Sequence, residues 1–389
     1  MIPFDFQPRT RIIFGPGSID RLGDLAGELG TRRVLVVSDA GVISAGHTQR
    51  GIDSLEKAGI ETYLFDEVCE NPTTTEVDSG LRLARRYEPE MIVGLGGGSA
   101  MDCAKGINFL FSNGGSIQDY WGVGKALQPM LPMIAIPTTA GTGSETQSFA
   151  LISDAKTHVK MACGDKKASF RIAILDPELT LTQPPQVTAL TGIDAMAHAV
   201  ETFVTNRRNP VSLAFSREAW RLISSNFSRV LDHPDDLEAR GAMLLGACFA
   251  GMAIENSMLG AVHALANPLT AGFQIVHGQA IATMLPHVIR FNGESHPGWY
   301  QELFEITNGS NGSVSATEDG GTGPQGLADF VTRIVSKAEL PPNLSSQGVT
   351  RDSLPGLAAE ASKQWTASFN PREVSASQLL GLYEKAFDE

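Results

Sequence analysis

Asp194, His198, His263 and His277 are the residues whose types and spacing could hold a divalent metal. Asp194 and His198 stand at i and i+4 in TGIDAMAHAVETF, a run of good helix formers, so both side chains project from one helix face about a turn apart. His263, in GAVHALANPL, and His277, in FQIVHGQA, could close the shell from a second helix and from a turn that begins a third. One carboxylate and three imidazoles suit Fe(II), Zn(II), Mn(II) or Co(II) and give no reason to expect Ca(II). The same D-x-x-x-H pair, taken alone, is more often only a capped or hydrogen-bonded core pair, and it is the two further histidines that raise the metal reading.

A second set of residues has the chemistry of a dinucleotide site. In GLGGGSAMDCAKGINFLF, glycines join a buried strand to a helix, and Ser99 is the predicted N-cap. Such a turn lets the backbone approach a pyrophosphate while the helix N-terminus offers free N–H groups and positive dipole, so Gly97, Gly98 and Ser99 form the expected cradle. Asp39 ends an earlier apolar strand, where its carboxylate could accept from two ribose hydroxyls and would repel a 2′-phosphate, favouring NAD over NADP. In the ordinary dinucleotide fingerprint the acidic residue follows the glycine turn, whereas Asp39 precedes it. The alternative for Asp39, the less favoured one, is a helix-capping or turn aspartate. In IPTTAGTGSE, Thr138 and Thr139 could bond a ribose or the nicotinamide, while Lys160 could face a phosphate, a ribose hydroxyl or only solvent.

The elements that must position these residues fall into two halves. VLVVSD (34–39), MIVGL (91–95), MIAIPTT (133–139) and RIAILDP (171–177) are apolar runs of the kind buried on both faces of a sheet. RIIF reads as an edge strand and ETYLFD as another strand, with helices predicted near 49–57 and 74–87. Strands alternating with helices predict a mostly parallel sheet covered on both faces. After the proline-bearing joint LTQPPQ, clear strands stop and long helical runs such as SLAFSREAWRLISSNFSRVL and LEARGAMLLGACFAGMAIEN take over. The expectation is an α/β dinucleotide-binding domain over 1–183 and an all-helical metal-binding domain over 184–389. Residues 308–325, rich in Gly, Ser and Asn, read as a mobile surface loop without chemistry.

Composition narrows the partners. At 389 residues and 42% hydrophobic, the chain can bury two ordinary cores. A formal charge of -13 would repel nucleic acid and anionic membranes, so any phosphate site must be built locally. The four cysteines have no C-x-x-C pair and read as free thiols in a reducing cytosol. The N-terminus has no secretory h-region, and the apolar stretch 241–254 is too short to span a bilayer. A cytoplasmic enzyme is expected.

Six ordered motifs now carry a resemblance: Asp39, GGGSAMD at 96–102, IPTTAGTGSE, LDPELT at 175–180, GIDAMAHAVE at 192–201, and the HALA…VHG…LPHVIRFN run from His263 to Asn292. Over nearly its whole length the chain resembles the iron-containing (group III) alcohol dehydrogenases. The resemblance implies a dehydroquinate synthase-like fold, an active cleft between the two domains and a homodimer or larger assembly. Its implied metal ligands are Asp194, His198, His263 and His277, with Fe(II) first and Zn(II) second. The implied cofactor contacts are Asp39, Asn71, Gly97, Gly98, Ser99, Asp102, Thr138, Thr139, Lys160 and Leu179. One departure stands out: many members have a histidine four residues after the third ligand, and this chain has Asn267. An amide can hydrogen-bond substrate or water but cannot carry a proton at neutral pH.

The implied reaction is reversible hydride transfer between a small alcohol and NAD, giving an aldehyde or ketone, with the metal as electrophile. Pocket walls would come from scattered apolar side chains such as those near Phe149, Met252, Met258 and Phe273. Rival readings are a glycerol dehydrogenase, a maleylacetate reductase and a hydroxyacid-oxoacid transhydrogenase. A dehydroquinate-synthase-like lyase would need basic residues that the helical half scarcely offers near its ligands. A catalytically silent metal- or nucleotide-binding scaffold has only Asn267 in its favour.

Overall fold

The computed structural model describes residues 3–157, 159–309 and 321–388, which form two compact units. The first, Gln7–Gln183, contains β1 (Arg11–Phe14), α1 (Leu22–Glu28), β2 (Arg33–Asp39), α2 (Ala40–Ser44), α3 (His47–Lys57), β3 (Glu61–Val68), α4 (Thr74–Tyr87), β4 (Met91–Gly96) and α5 (Gly98–Asn113). It continues with β5 (Gly122–Val123), β6 (Met133–Pro137), β7 (Phe149–Ser153), β8 (Lys160–Gly164) and β9 (Ile172–Leu175). Six strands pair in the order β1-β9-β6-β4-β2-β3, and every pairing is parallel. The apolar runs are continuous because β4 and β6 are wholly buried.

Side chains alternate across that sheet. Val34, Val36, Met91, Val93, Leu95, Ile134, Ile136, Ile172 and Ile174 share one buried cluster with Leu22 and Leu25 of α1 and Leu55 of α3. Each such aliphatic side chain contributes about 1.5–3 kcal/mol by leaving water. The chain runs from β2 outward to β3, then returns to place β4 on the other flank of β2. The carboxyl ends of β2 and β4 therefore border a topological switch point, the place where open α/β sheets bind ligands.

A second, three-stranded sheet in the order β5-β8-β7 was not foreseen, with β7 and β8 antiparallel and β5 and β8 parallel. Its strands are short and partly exposed, so they lack the continuous apolar signal of the main sheet. The predicted strand over 133–139 stops at Pro137, which leaves Thr138 and Thr139 in the loop beyond it.

The second unit, Pro184–Glu389, is helical among its described residues: α6 (Pro185–Val204), α7 (Pro210–Asp232), α8 (Leu237–Asn256), α9 (Ala261–Phe273), α10 (His277–Gly293), α11 (Pro297–Gly309), α12 (Gly323–Lys337), α13 (Leu354–Ala361) and α14 (Ala376–Asp388). The described residues before Gln7 belong to it, and Phe6 packs near Phe215. Residues 310–320 of the stretch read as a mobile loop lie outside the described residues, and Gly323–Gln325 form the first turn of α12. Helix α6 is buried almost all round from Thr188 to Val204, which explains its weak amphipathic pattern. Helix α8 is long and apolar enough to cross a membrane by length and composition, yet most of it is buried in the helical unit. Trp220 of α7 anchors that packing, its Nε1 donating to Leu303 O at 2.9 Å and Thr307 Oγ1 at 3.1 Å.

Candidate metal centre and dinucleotide site

In the helical unit, α6 carries Asp194 and His198 on one face, α9 carries His263 in its first turn, and α10 starts at His277. Asp194 Oδ1 lies 3.3 Å from His198 Nε2, 3.5 Å from His263 Nε2 and 3.7 Å from His277 Nε2. Four ligands at about 2.0–2.2 Å from a tetrahedral ion stand about 3.3–3.6 Å from one another, so the three edges from Asp194 Oδ1 come close to those of such an ion, and the ligand atoms of Asp194, His263 and His277 all lie within 4.8 Å of one another. The imidazoles of His198 and His263 lie nearly parallel with centroids 4.9 Å apart, and that of His277 is tilted 52° from His263.

Asp194 Oδ1 and His263 Nε2 are buried and make no hydrogen bond. Unpartnered buried polar atoms of this kind are costly unless a ligand compensates them, which a cation would. Asp194, His198 and His263 are buried, whereas the side chain of His277 is 26% exposed, so the centre is most open on that side.

Burial opposes ionisation of Asp194, but the His198, His263 and His277 rings hold its carboxyl well below the usual range. Burial likewise opposes protonation of His263, yet Glu201 and Asp194 raise the imidazole to about 9. Without an ion, this centre thus keeps a proton that a metal would displace.

Sequence reading passed over Glu201. It stands at i+7 from Asp194 and i+3 from His198, on the face of α6 that already bears both candidate ligands, and that spacing was the available signal. Its Oε2 meets His263 Nδ1 in a short hydrogen bond. Asn267 shares a face of α9 with His263 and donates from Nδ2 to Gln364 Oε1 at 3.0 Å. Gln364, 97 positions further on, gave no signal in the chain.

In the α/β unit, Asp39 ends β2 and caps α2, its Oδ1 accepting from Gly41 N at 2.9 Å and Val42 N at 3.1 Å. Both readings of Asp39 are compatible, because its second oxygen lies at the glycine turn: a Cβ on Gly96 would stand 3.0 Å from Asp39 Oδ2. The unusual order in the chain is resolved by the pairing of β2 with β4.

Helix α5 starts at Gly98 with Gly97 as its N-cap, correcting the expectation that Ser99 caps it. No side chain caps this helix, which leaves first-turn N–H groups for an anion. A Cβ on Gly98 would stand 2.7 Å from Thr142 Cγ2, and one on Gly97 would stand 3.5 Å from Thr139. Gly98 is needed where Thr142 of the loop after β6 closes on the turn, whereas a Cβ at Gly97 would make ordinary contact with Thr139.

Ser99 Oγ instead accepts from Asn71 N at 3.2 Å; Asn71 has φ 53° and accepts from Lys160 Nζ at 3.1 Å. Asn71, Ser99 and Lys160 are thereby brought together. Thr138 N donates to Gly96 O at 3.0 Å. Asp102 accepts from Ser144 Oγ at 2.8 Å and lies 3.8 Å from Lys105 Nζ. Burial raises its carboxyl above the ordinary value, with Lys105 and Ser144 opposing. Fully buried Lys105 also donates to Ser144 O, Ser144 Oγ and Phe149 O, each at 2.8 Å, and so pins the loop after β6. The Leu179 side chain belongs to the hydrophobic core beneath the sheet.

The family "Iron-containing alcohol dehydrogenase" matches residues 8–177, and "Fe-containing alcohol dehydrogenase family, C-terminal" matches residues 188–387. The chain belongs to the iron-containing alcohol dehydrogenase family. It is similar to 1,3-propanediol dehydrogenase of Klebsiella pneumoniae, with 34% identity over 386 residues covering 99% of each chain. Among solved structures it is similar to a 1,3-propanediol oxidoreductase, at TM-score 0.93 and 32% identity, over 99% of this chain and 100% of that one. It is also similar to sulfoacetaldehyde reductase from Bifidobacterium kashiwanohense in complex with NAD+, at TM-score 0.89 and 28% identity, over 100% of each chain.

As a member of this family the protein is an oxidoreductase acting on CH–OH groups, and membership implies a divalent metal and NAD. The α/β unit with its parallel sheet and the helical unit are the fold of its structural neighbours.

Proposed function

We propose that the protein is an Fe(II)-dependent, NAD-linked dehydrogenase of small primary alcohols and diols. Asp194, His198, His263 and His277 hold the ion. Asp39, Asn71, Gly97, Gly98, Ser99, Asp102, Thr138, Thr139 and Lys160 serve the dinucleotide, with Leu179 supporting it from the core. The observation that carries this reading is the approach of three imidazole Nε2 atoms to the unpartnered Oδ1 of Asp194. The diol-acting relatives support the substrate class. When bound, the ion supplies an electrophile for the substrate oxygen and the nicotinamide accepts or returns hydride.

The chain's own residues supply position and polarity. Asp39 offers an acceptor for ribose hydroxyls and repels a 2′-phosphate. The uncapped start of α5 binds the pyrophosphate through backbone N–H groups. Asn267, held by Gln364, hydrogen-bonds substrate or water but moves no proton, so proton release runs through solvent and hydroxyl groups.

The test measures NADH formation with a panel of primary alcohols and diols, using protein stripped of metal and reloaded separately with Fe(II) or Zn(II). Turnover lost on stripping, restored by metal and absent in His263→Ala is expected. Failure to form NADH from any alcohol, with metal and NAD both bound, would refute it.

A further inference from the structure

We propose that Glu201 is the positioning residue that makes His263 a metal ligand, by fixing the imidazole with its proton on Nδ1. This inference rests on the ligand assignment above. Glu201 lies one turn beyond His198 on α6 and is only 4% exposed. Its two carboxylate oxygens divide the work. Oε2 accepts from His263 Nδ1, while Oε1 accepts from Gly260 N at 3.1 Å and Val262 N at 2.7 Å.

Those two N–H groups belong to the start of α9, where Gly260 is the N-cap and supplies no side-chain cap of its own. One side chain thus caps α9 and orients the imidazole on that helix's first turn. Asn370 completes the support, its Oδ1 accepting from Ala261 N at 3.3 Å and from Asn292 Nδ2 at 2.9 Å. A Cβ on residue 260 would stand 3.2 Å from Glu201 Oε1, so the carboxylate fits closely against the α9 start.

The chemical consequence follows from acceptor-only behaviour. An ionised carboxylate facing Nδ1 requires a proton there, so a neutral His263 presents its lone pair from Nε2, the atom 3.5 Å from Asp194 Oδ1. Carboxylate partners of ligating histidines generally act in this way, and losing one weakens metal binding by about 10–100-fold.

Glu201→Gln separates this role from the structural one. The glutamine carbonyl can keep accepting from Gly260 and Val262, but its NH2 group then faces Nδ1. His263 must accept there and carry its proton on Nε2, the tautomer that cannot bind metal. The experiment measures Zn(II) dissociation constants by chelator competition for wild-type, Glu201→Gln and His263→Ala protein, alongside thermal unfolding without metal. Glu201→Gln is expected to unfold cooperatively without metal and to bind zinc about 10–100-fold more weakly.

Affinity within about threefold of wild type would overturn the proposal, since it would fall below the effect of losing such a partner. If His263→Ala loses zinc while Glu201→Gln retains it, this inference fails and the ligand assignment stands. If His263→Ala binds zinc like wild type, the ligand assignment itself fails. Nitrogen-15 histidine NMR of zinc-loaded wild type decides the matter even if Glu201→Gln does not fold. A hydrogen-bonded Nδ1 proton that disappears in His263→Ala is expected, and its absence overturns the proposal.

Discussion

Gly278→Ala tests how the first turn of α10 delivers His277. A Cβ at residue 278 would stand 2.4 Å from Leu190 O, 2.8 Å from Leu190 C and 2.9 Å from Leu190 Cβ. Ordinary contact begins near about 3.4 Å, so the methyl group arrives about 1 Å too close to a main-chain obstacle that cannot rotate away. The residue lies within a helix, so the glycine is required for close approach of α10 to α6 rather than for a left-handed backbone. Overpacking of this kind costs about 1–3 kcal/mol, and for a unit of about 200 residues that lowers the melting temperature by about 2–12 °C. His277 is the adjacent residue, and ligand positions tolerate only about 0.5 Å of displacement. Zn(II) affinity is therefore expected to fall at least about tenfold, comparable to the loss of a supporting partner. Gly272→Ala is the control: it is exposed near the end of α9, its added methyl meets nothing within 4 Å, and alanine favours the helix by about 1 kcal/mol. Thermal unfolding with chelator competition reads both effects. A Gly278→Ala protein that melts and binds zinc like wild type would refute the argument that Leu190 sets the seat of His277.

Asp39→Asn separates capping from cofactor choice: asparagine caps helices as well as aspartate, so stability should stay within about 0.5 kcal/mol, while the preference for NAD over NADP in kcat/KM should fall by about tenfold or more. An unchanged preference would leave Asp39 with the cap alone. Glu145→Gln probes a buried acid in the α/β unit, where burial pushes the carboxyl up to about 7 while a backbone N–H and Lys105 oppose it. The folded state then keeps a proton that the unfolded chain releases above about 4.5, so this contribution is full at low pH and is lost as pH rises towards about 7. A rise of that size corresponds to about 3 kcal/mol, so melting temperature should fall less between about pH 5 and 8 in Glu145→Gln than in wild type; parallel curves would count against it.

Much of the site was legible because its signals are local. Asp194 and His198 declare themselves by i, i+4 spacing, and the apolar runs of β2, β4, β6 and β9 announce a buried parallel sheet. Asp39 stands out at the end of its apolar strand, although only strand order explains how it reaches Gly96 from 57 positions away. What escaped was either weakly apolar or distant in the chain. The β7–β8 ladder is half-exposed, Gln364 meets Asn267 across 97 residues, and Lys105 looks like any helical lysine until Ser144 and Phe149 close over it. The capping assignment of Ser99 failed for a different reason: with glycine at both Gly97 and Gly98 the helix begins two residues earlier, and the freed hydroxyl turns to Asn71.

The placement of Glu201 also bears on why a charged centre is tolerated in an apolar helix. Helix α6 puts two carboxylates, Asp194 and Glu201, into a region otherwise lined by Ile193, Met196, Ala197 and Val200, all buried. Isolated buried carboxylates are costly, and neither has an arginine or lysine partner among the described contacts. A dication held by Asp194 and the three imidazoles would offset the Asp194 carboxylate directly and would reach Glu201 through the His263 ring. Apart from an ion, the His198, His263 and His277 rings all lower the Asp194 carboxyl, and Gly260 N and Val262 N donate to Glu201. His263 thus stands between the two carboxylates, and because Glu201 both caps α9 and meets this imidazole, it would tie metal binding to the packing of α6 against α9.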